Sequence, residues 1–168
     1  MKRKRMSAVV TLLATGLAVS PAVAAPTTAE AKARVGADWA KQSITFTAAP
    51  GQVNDLHVVP MDQGDGVRRI GFRDSVPLQP GDHCAYLEPG VETYVVCELP
   101  TDSARPDRID VFLGDGDDEI ATSDPGVATV SGGPGDDMLH GEAGDDVIVG
   151  GSGKDTVEGG PGRNITLP

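Results

Sequence analysis

Gly132-Gly133-Pro134-Gly135-Asp136-Asp137-Met138-Leu139-His140 is followed without a gap by 141–149 (GEAGDDVIV), 150–158 (GGSGKDTVE) and 159–167 (GGPGRNITL). The period is nine residues. Position 4 is glycine in every unit: Gly135, Gly144, Gly153, Gly162. Position 2 is Gly133, Gly151 and Gly160, with Glu142 in the second unit. Position 6 reads Asp137, Asp146, Asp155, Asn164, and position 8 reads Leu139, Ile148, Val157, Thr166. A unit of the form G-G-x-G-x-D-x-U-x, with U apolar, stacks into a solenoid, because one unit cannot bury its apolar residue alone.

The residue types specify a chemistry. Glycines let the backbone turn through positive φ and aim carbonyl oxygens at one point. The position-6 carboxylate adds a charged oxygen. The x-U-x triplet is a minimal strand with its middle side chain facing inward, so Leu139, Ile148, Val157 and Thr166 form the expected inner row. Cages of carbonyls and carboxylates suit a hard cation such as Ca²⁺, which takes six to eight oxygens at loose geometry. No soft or imidazole-rich donor set accompanies the repeat, which argues against zinc or copper.

The register extends upstream. Residues 113–121 (LGDGDDEIA) place Gly114 and Gly116 at the glycine positions, Asp118 at position 6 and Ile120 at position 8. They lie two periods plus one residue before Gly132. The intervening unit 123–131 (SDPGVATVS) keeps Gly126 and Val130 but has Ala128 where the carboxylate belongs, so it reads as a coil lacking a ligand. Residues 104–112 (ARPDRIDVF) read as one more coil, with Val111 inward and no metal loop.

On these residues, segment 113–167 resembles the RTX (repeats-in-toxin) family of calcium-binding repeats, the hemolysin-type β-roll. The resemblance implies a right-handed parallel β-roll with two nonapeptides per coil and Ca²⁺ between the loops of units n and n+2. It pairs Asp137 with Asp155, Asp146 with Asn164 and, across the insertion, Asp118 with Asp137. The implied metal-site residues are Gly114, Gly116, Asp118, Gly133, Gly135, Asp137, Gly144, Asp146, Gly151, Gly153, Asp155, Gly160, Gly162 and Asn164. Asn164 keeps an oxygen but loses a charge, which weakens the last site.

The chain begins with a targeting signal. Lys2 to Arg5 are basic, residues 6–20 are apolar but short for a membrane span, and Ala22-Val23-Ala24 supplies an A-x-A cleavage site near Ala24. This predicts secretion with residues 1–24 removed, changing the formal charge from −11 to −15. From Leu113 onward twelve acidic residues face two basic ones, Lys154 and Arg163. Such a chain repels nucleic acid and anionic membranes and attracts cations.

Cys84 and Cys97 are the only cysteines. In an exported protein an even pair reads as a disulfide, here around the turn Pro89-Gly90. No C-x-x-C spacing supports the alternative of a reactive thiol pair.

Residues 25–42 read as a flexible segment, with a short helix around Trp39 as the alternative. From Ser43 the pattern changes to strands over 43–47, 53–59, 67–72 and 91–99, with a loop marked by Pro77, Pro80 and Gly81. The expected organisation is an irregular β region, 43–103, that carries the disulfide and caps a calcium-binding roll, 104–168. A small separate sandwich is the alternative for 43–103. The arrangement also resembles secreted actinobacterial RTX-like proteins with a disulfide-bearing N-terminal portion.

Catalytic motifs are absent from the sequence. His57, His83 and His140 are scattered, there is no G-x-S-x-G elbow, and GGSGKDT has Asp155 where a phosphate loop needs Ser or Thr. The expected fold class is therefore all-β, and the expected function is secreted, non-enzymatic Ca²⁺ binding coupled to folding. The rival is an extracellular adhesion module, in which Ca²⁺ is structural and the 43–100 region recognises a cell-wall polymer or protein.

Overall fold

A computed structural model describes residues 31–61, 66–100, 108–141 and 143–168. The expected signal peptide lies outside the described residues. Those described form fourteen strands and no helix: β1 Ala33–Asp38, β2 Ser43–Thr47, β3 Asp55–Pro60, β4 Val67–Arg73, β5 Leu78–Pro80, β6 Cys84–Tyr86, β7 Tyr94–Pro100, β8 Arg108–Phe112, β9 Glu119–Thr122, β10 Val127–Pro134, β11 Met138–His140, β12 Val147–Ser152, β13 Thr156–Glu158 and β14 Ile165–Leu167.

They make two mixed seven-stranded sheets, ordered β14-β12-β10-β8-β2-β1-β5 and β13-β11-β9-β3-β4-β7-β6. From β2 onward in the first sheet and β3 onward in the second, each neighbour toward the C-terminal edge is parallel. After the chain passes residue 108 it crosses from one sheet to the other at every turn. Residues in equivalent positions therefore stack in columns. One column runs Phe46, Val111, Val130, Ile148, Thr166. The facing column runs Leu56, Ile120, Leu139, Val157. All but Val157 and Thr166 are fully or almost fully buried. Each such burial contributes about 1.5–3 kcal/mol.

The inner row expected from position 8 holds for Leu139 and Ile148, is partial at Val157, and fails at Thr166, which is exposed. The reason is positional. Thr166 sits in an edge strand with no coil beyond it among the described residues, so nothing covers that rung.

The opposite end is built mainly by antiparallel pairing, with the edge strand β5 added to β1 in parallel. β1 pairs with β2, and β4 joins β3 to β7. The expectation of a flexible segment over 25–42 is corrected for residues 31–42: Ala33, Val35 and Ala37 alternate inward along β1 and are buried. Alanines and Gly36 are poor strand formers, so propensity gave no signal there. Trp39 lies in the following turn, not a helix; its ring stacks on His83 with centroids 3.7 Å apart. β5 lies in the stretch that Pro77, Pro80 and Gly81 mark as a loop, and it pairs in parallel with β1. Cys84 and Cys97 are directly opposite in the β6–β7 pair and form the disulfide. The parallel neighbours β8 and β9 add to β2 and β3 directly, so the sheets run unbroken from the N-terminal half into the repeats.

Candidate metal centre

The turns of the repeats stack in two rows, one where the chain leaves the first sheet and one where it leaves the second. All nine glycines of the implied metal site have positive φ, from +68° at Gly160 to +151° at Gly135. Two of them show why no other residue serves. At Gly133 and at Gly153 a Cβ would sit on the carbonyl oxygen of the glycine one coil earlier, Gly114 and Gly135 respectively. Backbone rests on backbone, and the φ is closed to L side chains.

The position-6 residues form a hydrogen-bonded ladder along each row. In the first row the Asp118 N–H donates to Asp137 Oδ1 at 3.0 Å, and the Asp137 N–H to Asp155 Oδ1 at 3.1 Å. In the second row the Ala128 N–H donates to Asp146 Oδ1 and the Asp146 N–H to Asn164 Oδ1, both at 3.0 Å. The three pairs implied by the resemblance are thus brought together. Ala128 keeps the rung and supplies no side-chain oxygen.

Each ladder bond uses one carboxylate oxygen and leaves the other. Oδ2 of Asp118, of Asp137 and of Asp146 is buried with no hydrogen-bond partner, and these residues are 2%, 2% and 1% exposed. An unpaired buried anionic oxygen is costly and calls for a cation or a proton. The surroundings fit a cation held by oxygens. The empty Cβ position of Gly141 lies 2.7 Å from Ile148 Cδ1, 2.9 Å from Asp146 Oδ2 and 3.1 Å from the Gly159 carbonyl, so oxygens meet the apolar column there. That of Gly132 is bordered by Asp137 Oδ2 and, at 2.7 Å, the Gly150 carbonyl. Among the described residues no three His, Cys, Asp or Glu side chains converge. An ion here would be held by carboxylate and backbone carbonyl oxygens, a set that suits a hard cation.

Protonation reports the same stress. Burial pushes the Asp118 carboxyl up to about 6, opposed by its hydrogen bond from Asn54 N–H and reinforced by the charges of Asp137, Asp74 and Asp115. Burial likewise raises Asp137 and Asp146, opposed by the hydrogen bonds from Asp118 N–H and Ala128 N–H and reinforced most by the charges of Asp155 and Asp145.

Several participants were not singled out from the sequence. Position 5 forms its own outer ladder: Asp136 N–H donates to Asp117, Lys154 N–H to Asp136 and Arg163 N–H to Asp145, at 2.8–2.9 Å. The signal was present, since position 5 changes from acid to base over two periods. Asp124, at position 2 of the unit lacking a ligand, is buried and ion-paired with Arg68 of β4. His140 faces outward toward Glu158, at 3.3 Å.

Comparison with known proteins agrees with this geometry over the repeats. No curated protein and no solved structure matches the chain. A family model, the RTX calcium-binding nonapeptide repeat, matches residues 131–165 in four copies. The period, the glycine turns and the carboxylate ladder converge on one assignment: residues 131–165 are RTX calcium-binding nonapeptide repeats, a unit that binds Ca²⁺.

Proposed function

We propose that this is a secreted, non-catalytic protein whose C-terminal half is a parallel β-roll that folds on binding Ca²⁺. The observation that carries the reading is the set of three buried, partnerless oxygens on Asp118, Asp137 and Asp146. Ca²⁺ supplies positive charge and a demand for many oxygens. Asp137 with Asp155 would hold it in one row and Asp146 with Asn164 in the other, each with carbonyls of the glycine turns. Asp118 continues the first row toward the N-terminus.

Without the ion, these carboxylates repel one another, and ordering glycine-rich turns costs more backbone entropy than ordering other residues. Ligation and strand stacking then become favourable together. Affinities on the order of 10⁻⁴ to 10⁻³ M, usual for extracellular modules, keep such a segment loose where Ca²⁺ is scarce and set it where Ca²⁺ is abundant. The basic-apolar-AxA start of the sequence supports export. Titrating CaCl₂ into the chelated protein while recording far-UV circular dichroism tests the reading. A gain in β signal up to millimolar Ca²⁺ is expected; an unchanged spectrum would remove the folding claim.

A further inference from the structure

The first-row ladder does not start at a repeat. The Asn54 N–H donates to Asp118 Oδ1 at 2.7 Å, as Asp118 donates to Asp137 one rung on. The Asn54 carbonyl accepts from Glu119 N–H at 2.9 Å, as the Asp118 carbonyl accepts from Met138 N–H at 2.8 Å. Asn54 thus occupies the position-6 place of a coil formed by β2, β3 and the turn between them. That turn, 48–54 (AAPGQVN), has no nonapeptide pattern. Its carbonyls nevertheless take up the repeat arrangement. The Gln52 carbonyl faces Gly116 where a Cβ would be, as the Gly116 carbonyl faces Gly135 and the Gly135 carbonyl faces Gly153.

Two oxygens at this junction lack partners. Asn54 Oδ1 and Asp118 Oδ2 are both buried without a hydrogen bond, in residues 1% and 2% exposed. The amide's orientation is fixed from behind. Asn54 Nδ2 donates to Asp74 Oδ2 at 2.7 Å, which only the nitrogen end can do, so Oδ1 must turn away from Asp74. Asp74 is itself buried and also accepts from the Asp55 N–H. Neither Asp74 nor Asp118 forms an ion pair among the described residues.

We propose that this junction is an additional hard-cation site, taking Ca²⁺ between the N-terminal cap and the first repeat turn. Asn54 Oδ1, Asp118 Oδ2 and the Gln52 carbonyl are its oxygen donors, and Asp74 is the positioning residue that aims the amide. The proposal rests on the reading that position-6 oxygens of stacked turns hold Ca²⁺. It adds a site upstream of the matched repeats, made partly by a segment with no repeat signature. A neutral amide opposite a carboxylate makes it weaker than a site with two carboxylates, because affinity follows the charge count of the ligands.

Native mass spectrometry of the full mature chain, with Ca²⁺ as the only added metal, counts the ions. Isothermal titration then gives their affinities. Asn54→Leu should bind one ion fewer than the wild type and keep the rest. Asn54→Ala, which removes the amide without adding bulk or charge beside Asp74, should also bind one ion fewer than the wild type. Wild-type count and affinities in both variants would overturn the proposal while leaving calcium binding by the repeats intact. If Asn54→Leu does not fold, a wild-type ion count in Asn54→Ala overturns it alone. No bound Ca²⁺ in the wild type would instead defeat the functional reading beneath it.

Discussion

The backbone N–H of Asp137 donates to Asp155 Oδ1 across eighteen residues of sequence, at 3.1 Å. Eighteen is two nonapeptides, so a carboxylate at position 6 is held by the turn one coil before it. One oxygen is spent on that bond, and at Asp118, Asp137 and Asp146 the other is left for a cation. The repeat thus couples each coil's backbone to the next coil's carboxylate, so an ion held there would act on ligation and stacking together.

Asp137 serves the ladder twice, as acceptor for Asp118 N–H and as owner of a partnerless oxygen. Asp137→Ala should raise the Ca²⁺ midpoint of the circular-dichroism transition about tenfold or more, equivalent to about 1.4 kcal/mol. Asp136→Ala removes an exposed acceptor for Lys154 N–H and should move the midpoint by less than about threefold, the scale of an exposed charge contact. Equal shifts in the two variants would contradict the division between inner and outer carboxylates.

The raised carboxyls give the metal-free protein a definite pH dependence. Asp118 is pushed up to about 6 from an ordinary 3.8, and Asp137 and Asp146 move in the same direction. A folded state with raised carboxyl pKa values holds more protons than the unfolded chain between those limits. Its stabilising contribution is therefore full below about pH 4 and is lost as pH rises through about 6. In chelator, protons stand in for the ion on these carboxyls, so Tm and the β signal should both fall from pH 4.5 to pH 7, where the charged roll is loose. Ca²⁺ competes with those protons, so its affinity should rise over the same interval. A chelated Tm that climbs with pH would contradict the burial of these groups.

The C-terminal repeat was legible because its period carries two constraints at once, positive-φ glycines and a phased carboxylate. Nine glycines between Gly114 and Gly162 keep positive φ, and Asp118, Asp137, Asp146 and Asp155 keep the carboxylate phase, while the unit with Gly126 and Ala128 keeps neither. The N-terminal half was less legible. β1 is built on Ala33, Val35 and Ala37, whose inward alternation resembles an unstructured alanine-rich tail. Asn54 carries no local signal because its role comes from stacking on Asp118, a partner sixty-four residues away. Thr166 misled in the other direction: its phase is that of a core residue, but a core position needs a coil on both sides.

Gly132 and Gly90 separate space from backbone strain. Gly132 has no positive φ to protect, yet its Cβ position is bordered by Asp137 Oδ2 and the Gly150 carbonyl. Gly90 has φ +85° and nothing within 4 Å. Gly90→Ala should cost about 1–2 kcal/mol of left-handed strain, seen as a lower Tm, with the Ca²⁺ midpoint of the folded protein unchanged. Gly132→Ala should weaken Ca²⁺ binding, because the methyl group displaces the carboxylate oxygen. A Ca²⁺ midpoint equal to wild type in Gly132→Ala would show that this space is not part of the cage.

Ile148 tests whether the apolar column and the ladder act together. It is fully buried and lies between Val130 and Thr166 in the stack. Ile148→Ala removes no oxygen donor but should cost about 2–5 kcal/mol of packing. If Ca²⁺ binding and coil stacking are one equilibrium, that loss appears as a higher Ca²⁺ midpoint although every ligand is intact. The antiparallel cap, with its Cys84–Cys97 disulfide on β6 and β7, lies at the far end of the sheets. Its near-ultraviolet signal, from Trp39 and the two tyrosines, should therefore be almost unchanged in the variant. A wild-type midpoint in Ile148→Ala, in a protein shown by thermal melting to be destabilised, would mean that the roll is formed before the metal arrives.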